Sequence, residues 1–145
     1  MKKYSALILL ILLSLWLLII FSPVILNENN IFSLVFFKSL TATTCHQIDY
    51  KTIHINNTPL FVCSRCLGIY FGAFLTMIIV FFKKIKSSKK YFLISLFIMG
   101  LDSFFTTINF YNYSKIIALL TGTLFGSTVI LYIHEAISQI LDRRN

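Results

Sequence analysis

Four long apolar stretches, at residues 4–24, 63–82, 91–110 and 116–137, are separated by shorter polar ones. Each reaches the ~20 residues that a membrane-crossing helix needs. The pattern predicts an all-α integral membrane protein: one membrane domain over residues 1–145, folded as a four-transmembrane-helix bundle. The first stretch follows Met1-Lys2-Lys3 and has the outline of a signal peptide. It exceeds the about 7 to 15 apolar residues of such a segment, and no small-residue cleavage site follows, so it is expected to be a retained span.

The connections are unequal. Residues 83–90 form a short basic loop, whereas residues 25–62 form a long one. Its first half, Ile31 to Leu40, is apolar but too short to span and is interrupted by Lys38, which predicts an interfacial or partly re-entrant helix capped around Asn30. In its second half, Thr52-Ile53-His54-Ile55 and Leu60-Phe61-Val62 flank Asn56-Asn57-Thr58-Pro59. Asn tolerates the positive φ of tight turns, so this segment reads as a short hairpin.

Composition agrees with a membrane protein. The 145 residues are 57% hydrophobic and 12% charged, with a mean hydropathy of +0.83. So short a chain has no room for a large extramembrane catalytic domain. The net charge of +8 would suggest nucleic acid in a soluble chain. Here nine of the thirteen bases flank apolar runs: Lys2, Lys3, Lys83, Lys84, Lys86, Lys89, Lys90, Arg143 and Arg144. That is a topology signal and argues against a nucleic-acid partner. It places both termini and residues 83–90 in the cytoplasm, with Lys38, Lys51, Arg65 and Lys115 outside, as the positive-inside rule expects for the cell membrane.

On that topology all three cysteines lie on the outer side. A hairpin brings its two ends together, and those ends carry Cys45-His46-Gln47 and Cys63-Ser64-Arg65-Cys66. Cys63 and Cys66 share one face of the first turn of the second span. Three chemistries fit. The first is a transition-metal site, zinc above all, with Cys45, His46, Cys63 and Cys66 as ligands. Adjacent Cys45 and His46 do not easily bind one ion, so His54 or Asp102 is an alternative fourth ligand, with His46 then orienting another ligand. Cys-Ser-Arg-Cys-Leu lacks the histidine of a haem-attachment motif. The second is thiol redox chemistry, since a helix N-terminus and Arg65 both favour a thiolate at Cys63. A compact bundle with outward cysteines is analogous in fold to quinone-linked membrane thiol oxidoreductases, which use two cysteine pairs where this chain has three cysteines. The third is a non-enzymatic membrane subunit in which one structural disulfide braces the loop.

Asp102 lies within the third span, where a charge costs about 2.5 to 3.5 kcal/mol on insertion scales, so a partner is expected. Counting back from Phe110 puts it roughly 12 Å below the outer end of the span. Arg65 or Lys115 is the expected counter-ion. Asp102, Arg65 and Lys115 are therefore the candidate catalytic residues, against the alternative of a protonated carboxyl packed between helices.

Gly68-Ile69-Tyr70-Phe71-Gly72 and Gly122-Thr123-Leu124-Phe125-Gly126 are both GxxxG patterns, which let helix backbones approach closely. They predict contact between the second and fourth spans, or a homo-oligomer or membrane partner held through the same faces. Their likeness also suggests a duplicated helical hairpin. His134 and Glu135 are expected near the cytoplasmic interface. Phosphate-binding loops, dinucleotide fingerprints, HExxH and GxSxG are absent from the sequence.

Cys45-His46-Gln47 and Cys63-Ser64-Arg65-Cys66-Leu67-Gly68-Ile69-Tyr70-Phe71-Gly72 resemble the CHQ and CxRCxGIYxG signature of a prokaryotic family of small membrane proteins, domain of unknown function 2085. The family's later pattern is similar to Asp102-Ser103, Lys115 and Thr121-Gly122. The resemblance runs from about Cys45 to Gly126 and implies a polytopic membrane protein without assigning it an activity. Lys51-Thr52, Ser103 and Lys115 stand where the family usually has Arg-Ser, Gly and Arg. A lysine keeps the charge but loses the planar fork of arginine.

Overall fold

The computed structural model describes residues 2–25, 31–55, 58–83, 85, 88–108 and 110–143. Five helices and one hairpin follow in order: α1 (Lys2–Ile25), α2 (Ile31–Ala42), a 3-10 turn (Asp49–Lys51), β1 (Thr52–Ile55), β2 (Thr58–Cys63), α3 (Ser64–Phe82), α4 (Lys89–Thr107) and α5 (Lys115–Arg143). The turn expected at Asn56 and Asn57, the cap expected at Asn30, and the bases Lys84, Lys86 and Arg144 lie outside the described residues.

Among the described residues, three helices are long and apolar enough to cross a membrane: Tyr4–Ile25, Ser64–Phe82 and Lys115–Ile140. The expected span at 91–110 coincides with α4, which is as long as α3 at 19 residues. Lys89, Lys90 and Asp102 dilute its apolar character. Its helix also stops at Thr107, three residues short of the expected end, whereas α5 continues to Arg143, past the expected 137.

Pro23 lies in the last turn of α1, where it cannot donate to the carbonyl four residues back. The Ser22 hydroxyl donates to that carbonyl, Ile19 O, at 2.7 Å instead. The helix therefore runs to Ile25 without leaving Ile19 unpaired.

The centre of the bundle is the α3–α5 contact, as the two GxxxG patterns predict. A Cβ added at Gly68 would strike Leu119 O and one at Gly72 would strike Thr123 O; reciprocally, Gly122 sits on Arg65 O and Gly126 on Ile69 O. Each glycine thus lies over the residue three places before a glycine of the other helix. The two patterns pack reciprocally against one another. Both glycine faces are used up within one chain, so the contact they were also suited to make between copies is already made.

The remaining elements attach to this seam. Toward the basic-loop end, Ala6 of α1, Ala73 and Met77 of α3 and Ile130 of α5 form one buried cluster. Toward the hairpin end, Ile20, Cys45, Leu60, Val62 and Leu67 form another, with Trp16 of α1 edge-on to Tyr70 of α3 at 5.9 Å. Helix α4 is tied to α5 by Ser95 Oγ and Thr128 Oγ1, 2.7 Å apart. Helix α2 leaves Phe32, Val35 and Phe36 exposed, which suits the interfacial helix expected there.

The hairpin forms where expected. It is antiparallel, pairs Ile55 with Thr58, His54 with Pro59 and Thr52 with Cys63, and is irregular between Thr52 and His54. Because β2 runs straight into α3, the Thr52–Cys63 pair seats the hairpin on the first turn of that helix.

Candidate metal centre and its polar surround

Cys63 is the N-cap residue of α3, in an extended conformation with φ −68° and ψ 161°. Cys66 follows in the first helical turn, so the helix alone fixes two thiols one turn apart. Cys45 arrives from a different element. It was expected at the near end of the hairpin, but β1 begins only at Thr52. Cys45 instead lies in the turn that ends α2, where its N–H donates to Thr41 O at 3.0 Å.

Gln47 fixes that turn. It has a positive φ of 49°, and its side-chain Nε2 donates to Lys38 O at 2.9 Å and to Thr41 Oγ1 at 2.7 Å. An amide side chain thereby pairs a carbonyl at the end of α2, a common need at helix C-termini. Of the Cys45-His46-Gln47 motif, the cysteine enters the site and the glutamine shapes the turn. His46 is exposed.

The three sulfurs lie within 4.8 Å of one another, and all three thiols are free. Cys45 is 6% exposed. The Cys63 N–H donates to Cys45 Sγ at 3.2 Å. Hydrogen bonds from the thiols of Cys63 and then Cys66 hold the Cys45 thiol far below its usual range, against the opposing effect of burial. A lowered thiol pKa favours the thiolate, the form that binds metal or attacks a disulfide.

His46, His54 and Asp102, the residues considered for a fourth position, are not part of the sulfur group. His54 Nε2 lies 3.1 Å from Asp49 Oδ1 at the exposed edge of the hairpin. Asp102 belongs to a separate polar network beside the cysteines. Arg65 Nη2 donates to Asp102 Oδ2 at 2.5 Å, and Arg65 Nη1 donates to Ser103 Oγ at 3.1 Å. The Tyr111 hydroxyl donates to the other carboxylate oxygen. Thr121 Oγ1 stands 3.5 Å from Oδ2. The hydrogen bond to Asp102 raises the Tyr111 pKa, which keeps the phenol a donor.

Of the two counter-ions considered for Asp102, Arg65 is therefore the one in place. Lys115 Nζ donates instead to Thr52 O at 2.6 Å, linking the start of α5 to the hairpin. Asp102 is also nearer the end of its helix than expected: five residues before the end of α4 is about 7.5 Å along the helix. The helix stops early, and Tyr111 folds back over the carboxylate from the α4–α5 connection. Sequence reasoning did not single out Tyr111 or Tyr113 for this site. Tyr113 stacks under Arg65, whose guanidinium carbon is 6.0 Å from the ring centre, and its burial pushes the phenol pKa up to about 12. A surplus of tyrosine beside the cysteine-bearing end was the available signal. Lys51-Thr52, Ser103 and Lys115, where the sequence departs from the resembled pattern, all fall within or beside this network.

Apolar membrane-length helices, a glycine-packed centre and a cysteine-bearing cap at one end define a polytopic membrane protein. The chain belongs to a family described as predicted membrane protein (DUF2085), whose sequence profile matches residues 45–132. That match contains the three cysteines, the Arg65–Asp102 pair and both glycine pairs. The chain is also similar to the uncharacterized protein MJ1492 of Methanocaldococcus jannaschii, at 31% identity over 143 residues covering 92% of each chain. No solved structure matches the chain.

Proposed function

We propose that this protein is a metal-binding membrane protein whose centre is Cys45, Cys63 and Cys66, with zinc as the preferred ion. The observation that carries the reading is the mutual approach of three sulfurs from two separate elements to within 4.8 Å. Zinc–sulfur bonds of about 2.3 Å in a tetrahedral site place sulfurs roughly 3.8 Å apart, so small side-chain rotations suffice. Thiolates are also the donors that soft and borderline ions select. Three protein ligands leave a fourth position for water, for a small ligand, or for His46 after a change of rotamer. An exchangeable position is the mark of a reactive zinc site rather than a closed structural one.

In this reading α4 is the fourth span. Leu93, Ile94, Phe97 and Phe104 are exposed along it, as suits a lipid-facing surface. Four spans place both termini and the basic loop in the cytoplasm, and the cysteine-bearing end outside the cell membrane. Reporter domains fused after Ile85 and after Tyr111 test this directly. The first should report a cytoplasmic location and the second an external one, and the same location for both would remove α4 from the membrane.

The metal reading is tested by elemental analysis of protein purified without chelators. About one equivalent of zinc is expected, with Cys45→Ser, Cys63→Ser and Cys66→Ser each losing it, since two remaining thiolates are too few. His46→Ala should keep the metal if water fills the fourth position. Metal-free protein carrying a Cys63–Cys66 disulfide would replace this reading with thiol exchange. Formation of that disulfide coupled to quinone reduction would mark an oxidoreductase, and a disulfide inert to quinone would mark a brace in a membrane subunit.

A further inference from the structure

The hairpin end gathers three basic side chains. Lys51, Arg65 and Lys115 converge on a small set of residues. Lys51 Nζ lies 5.3 Å from the ring centre of Tyr50 and 5.4 Å from that of Tyr113, and Arg65 lies over the same Tyr113 ring. Lys115 Nζ reaches Thr52 O, next in sequence to Lys51, while Ser64 Oγ, next to Arg65, donates to Lys51 O at 2.9 Å. All three cationic residues are partly buried.

Asp102 is the one carboxylate engaged with this group among the described residues, and it is committed to Arg65. Asp49, the nearest acid in sequence to Lys51, turns its carboxylate to His54 Nε2, 3.1 Å away. Lys51 and Lys115 thus have no carboxylate partner among the described residues. Aromatic faces and one carbonyl satisfy their donors but do not cancel their charge. Arg65 Nε, which is buried, has no hydrogen-bond partner there either. The glycine seam adds positive potential, because it sets the N-terminal ends of α3 and α5 side by side, and each such end carries a partial positive charge.

We infer that this region binds a phosphate group, with Lys51 and Lys115 supplying charge that no carboxylate engages and Arg65 Nε a free donor. Ammonium groups serve phosphate as point charges. Tyr50 and Tyr113 sit where the helices α3 and α5 begin, the level at which aromatic residues meet lipid headgroups. The phosphate is therefore carried either by a phospholipid headgroup or by a free ion from the adjoining solution. The inference does not depend on the metal: it uses none of the cysteines.

Thermal unfolding of the full-length protein tests it, using two probes. Inorganic phosphate is titrated in delipidated detergent micelles against sodium chloride at equal ionic strength. Phosphatidylglycerol is compared with a phosphate-free galactolipid in mixed micelles. Stabilisation by inorganic phosphate, with about tenfold weaker response in Lys51→Gln and in Lys115→Gln, identifies a free phosphate. Stabilisation by phosphatidylglycerol alone, weakened in the same variants, identifies a headgroup. The inference is overturned if neither phosphate probe exceeds its control, or if Lys51→Gln responds as the wild type does. Lys51→Gln decides even if Lys115→Gln fails to fold, because the Lys51 ammonium rests on ring faces and not on a backbone group.

Discussion

The α3–α5 seam and the cysteine-bearing cap are built on opposite principles. In the seam, four glycines bring backbone against backbone, so the contact is set by what is missing. In the cap, structure depends on particular polar side chains finding one another across elements distant in sequence: Cys45 with Cys63, Arg65 with Asp102, and Lys115 with Thr52. The seam is a scaffold that tolerates no added atom. The cap is a set of specific polar contacts, in which the loss of one member leaves another stranded.

The largest effect should come from the seam. Gly126→Leu would drive a side chain into the backbone of Ile69, and overpacking against backbone that cannot yield should cost more than about 3 kcal/mol. Little monodisperse protein is expected on size-exclusion chromatography. Wild-type yield and melting temperature would show that α3 and α5 do not pack through these faces.

Next in size is the charge pair. Arg65 and Asp102 side chains are 17% and 6% exposed. Breaking such a pair from one side should cost about 3 kcal/mol, because the partner is left charged and buried. Asp102→Asn and Arg65→Gln should each lower stability by that amount, while the double variant should lose far less than their sum. Asp102→Asn with Lys115→Ala should instead be nearly additive, since Lys115 bonds to Thr52 O. Coupling to Lys115 and none to Arg65 would reverse the assignment of the counter-ion.

A smaller loss is expected from Tyr111→Phe. It removes one hydrogen bond to Asp102 while leaving Arg65 in place, so roughly 1 to 2 kcal/mol should be lost, with the fold and any bound metal retained. An unchanged melting temperature would mean that the tyrosine only covers the carboxylate.

The contrast between seam and cap also explains what the sequence revealed. A glycine at every fourth position is a local pattern, and it announces a close helix contact without reference to anything else. The hairpin was equally local: β-branched residues around an Asn-rich turn. The convergence of Cys45 with Cys63 and Cys66 was suggested by the hairpin, which pairs Thr52 with Cys63, but Cys45 is placed by the turn that ends α2. Partner choice was not legible in the same way. Arg65 and Lys115 carry the same charge at the same end of the bundle, and only the packed structure shows Arg65 reaching Asp102 while Lys115 reaches a carbonyl. His46 next to Cys45 read as a ligand, yet the turn held by Gln47 leaves it exposed. Beyond the early end of α4 at Thr107, Tyr111 bonds back to Asp102, a tertiary contact that no apolar run records.

The smallest expected effect completes the comparison, and it concerns the one glycine of the bundle outside the seam. Gly100 of α4 would place an added Cβ in open space, with nothing within 4 Å. Exposed Leu93, Phe97 and Leu101 surround it on that helix. Gly100→Ala should therefore raise stability slightly, by about 0.5 to 1 kcal/mol, because alanine is the better helix former and meets no obstacle. Gly126→Ala on α5 should do the opposite, since its added methyl meets backbone. Melting curves of the two variants in the same micelles compare an open apolar face with a closed one. If Gly100→Ala proves as damaging as Gly126→Ala, the face of α4 is covered in the membrane by a close-packed partner, and lipid alone would not account for it.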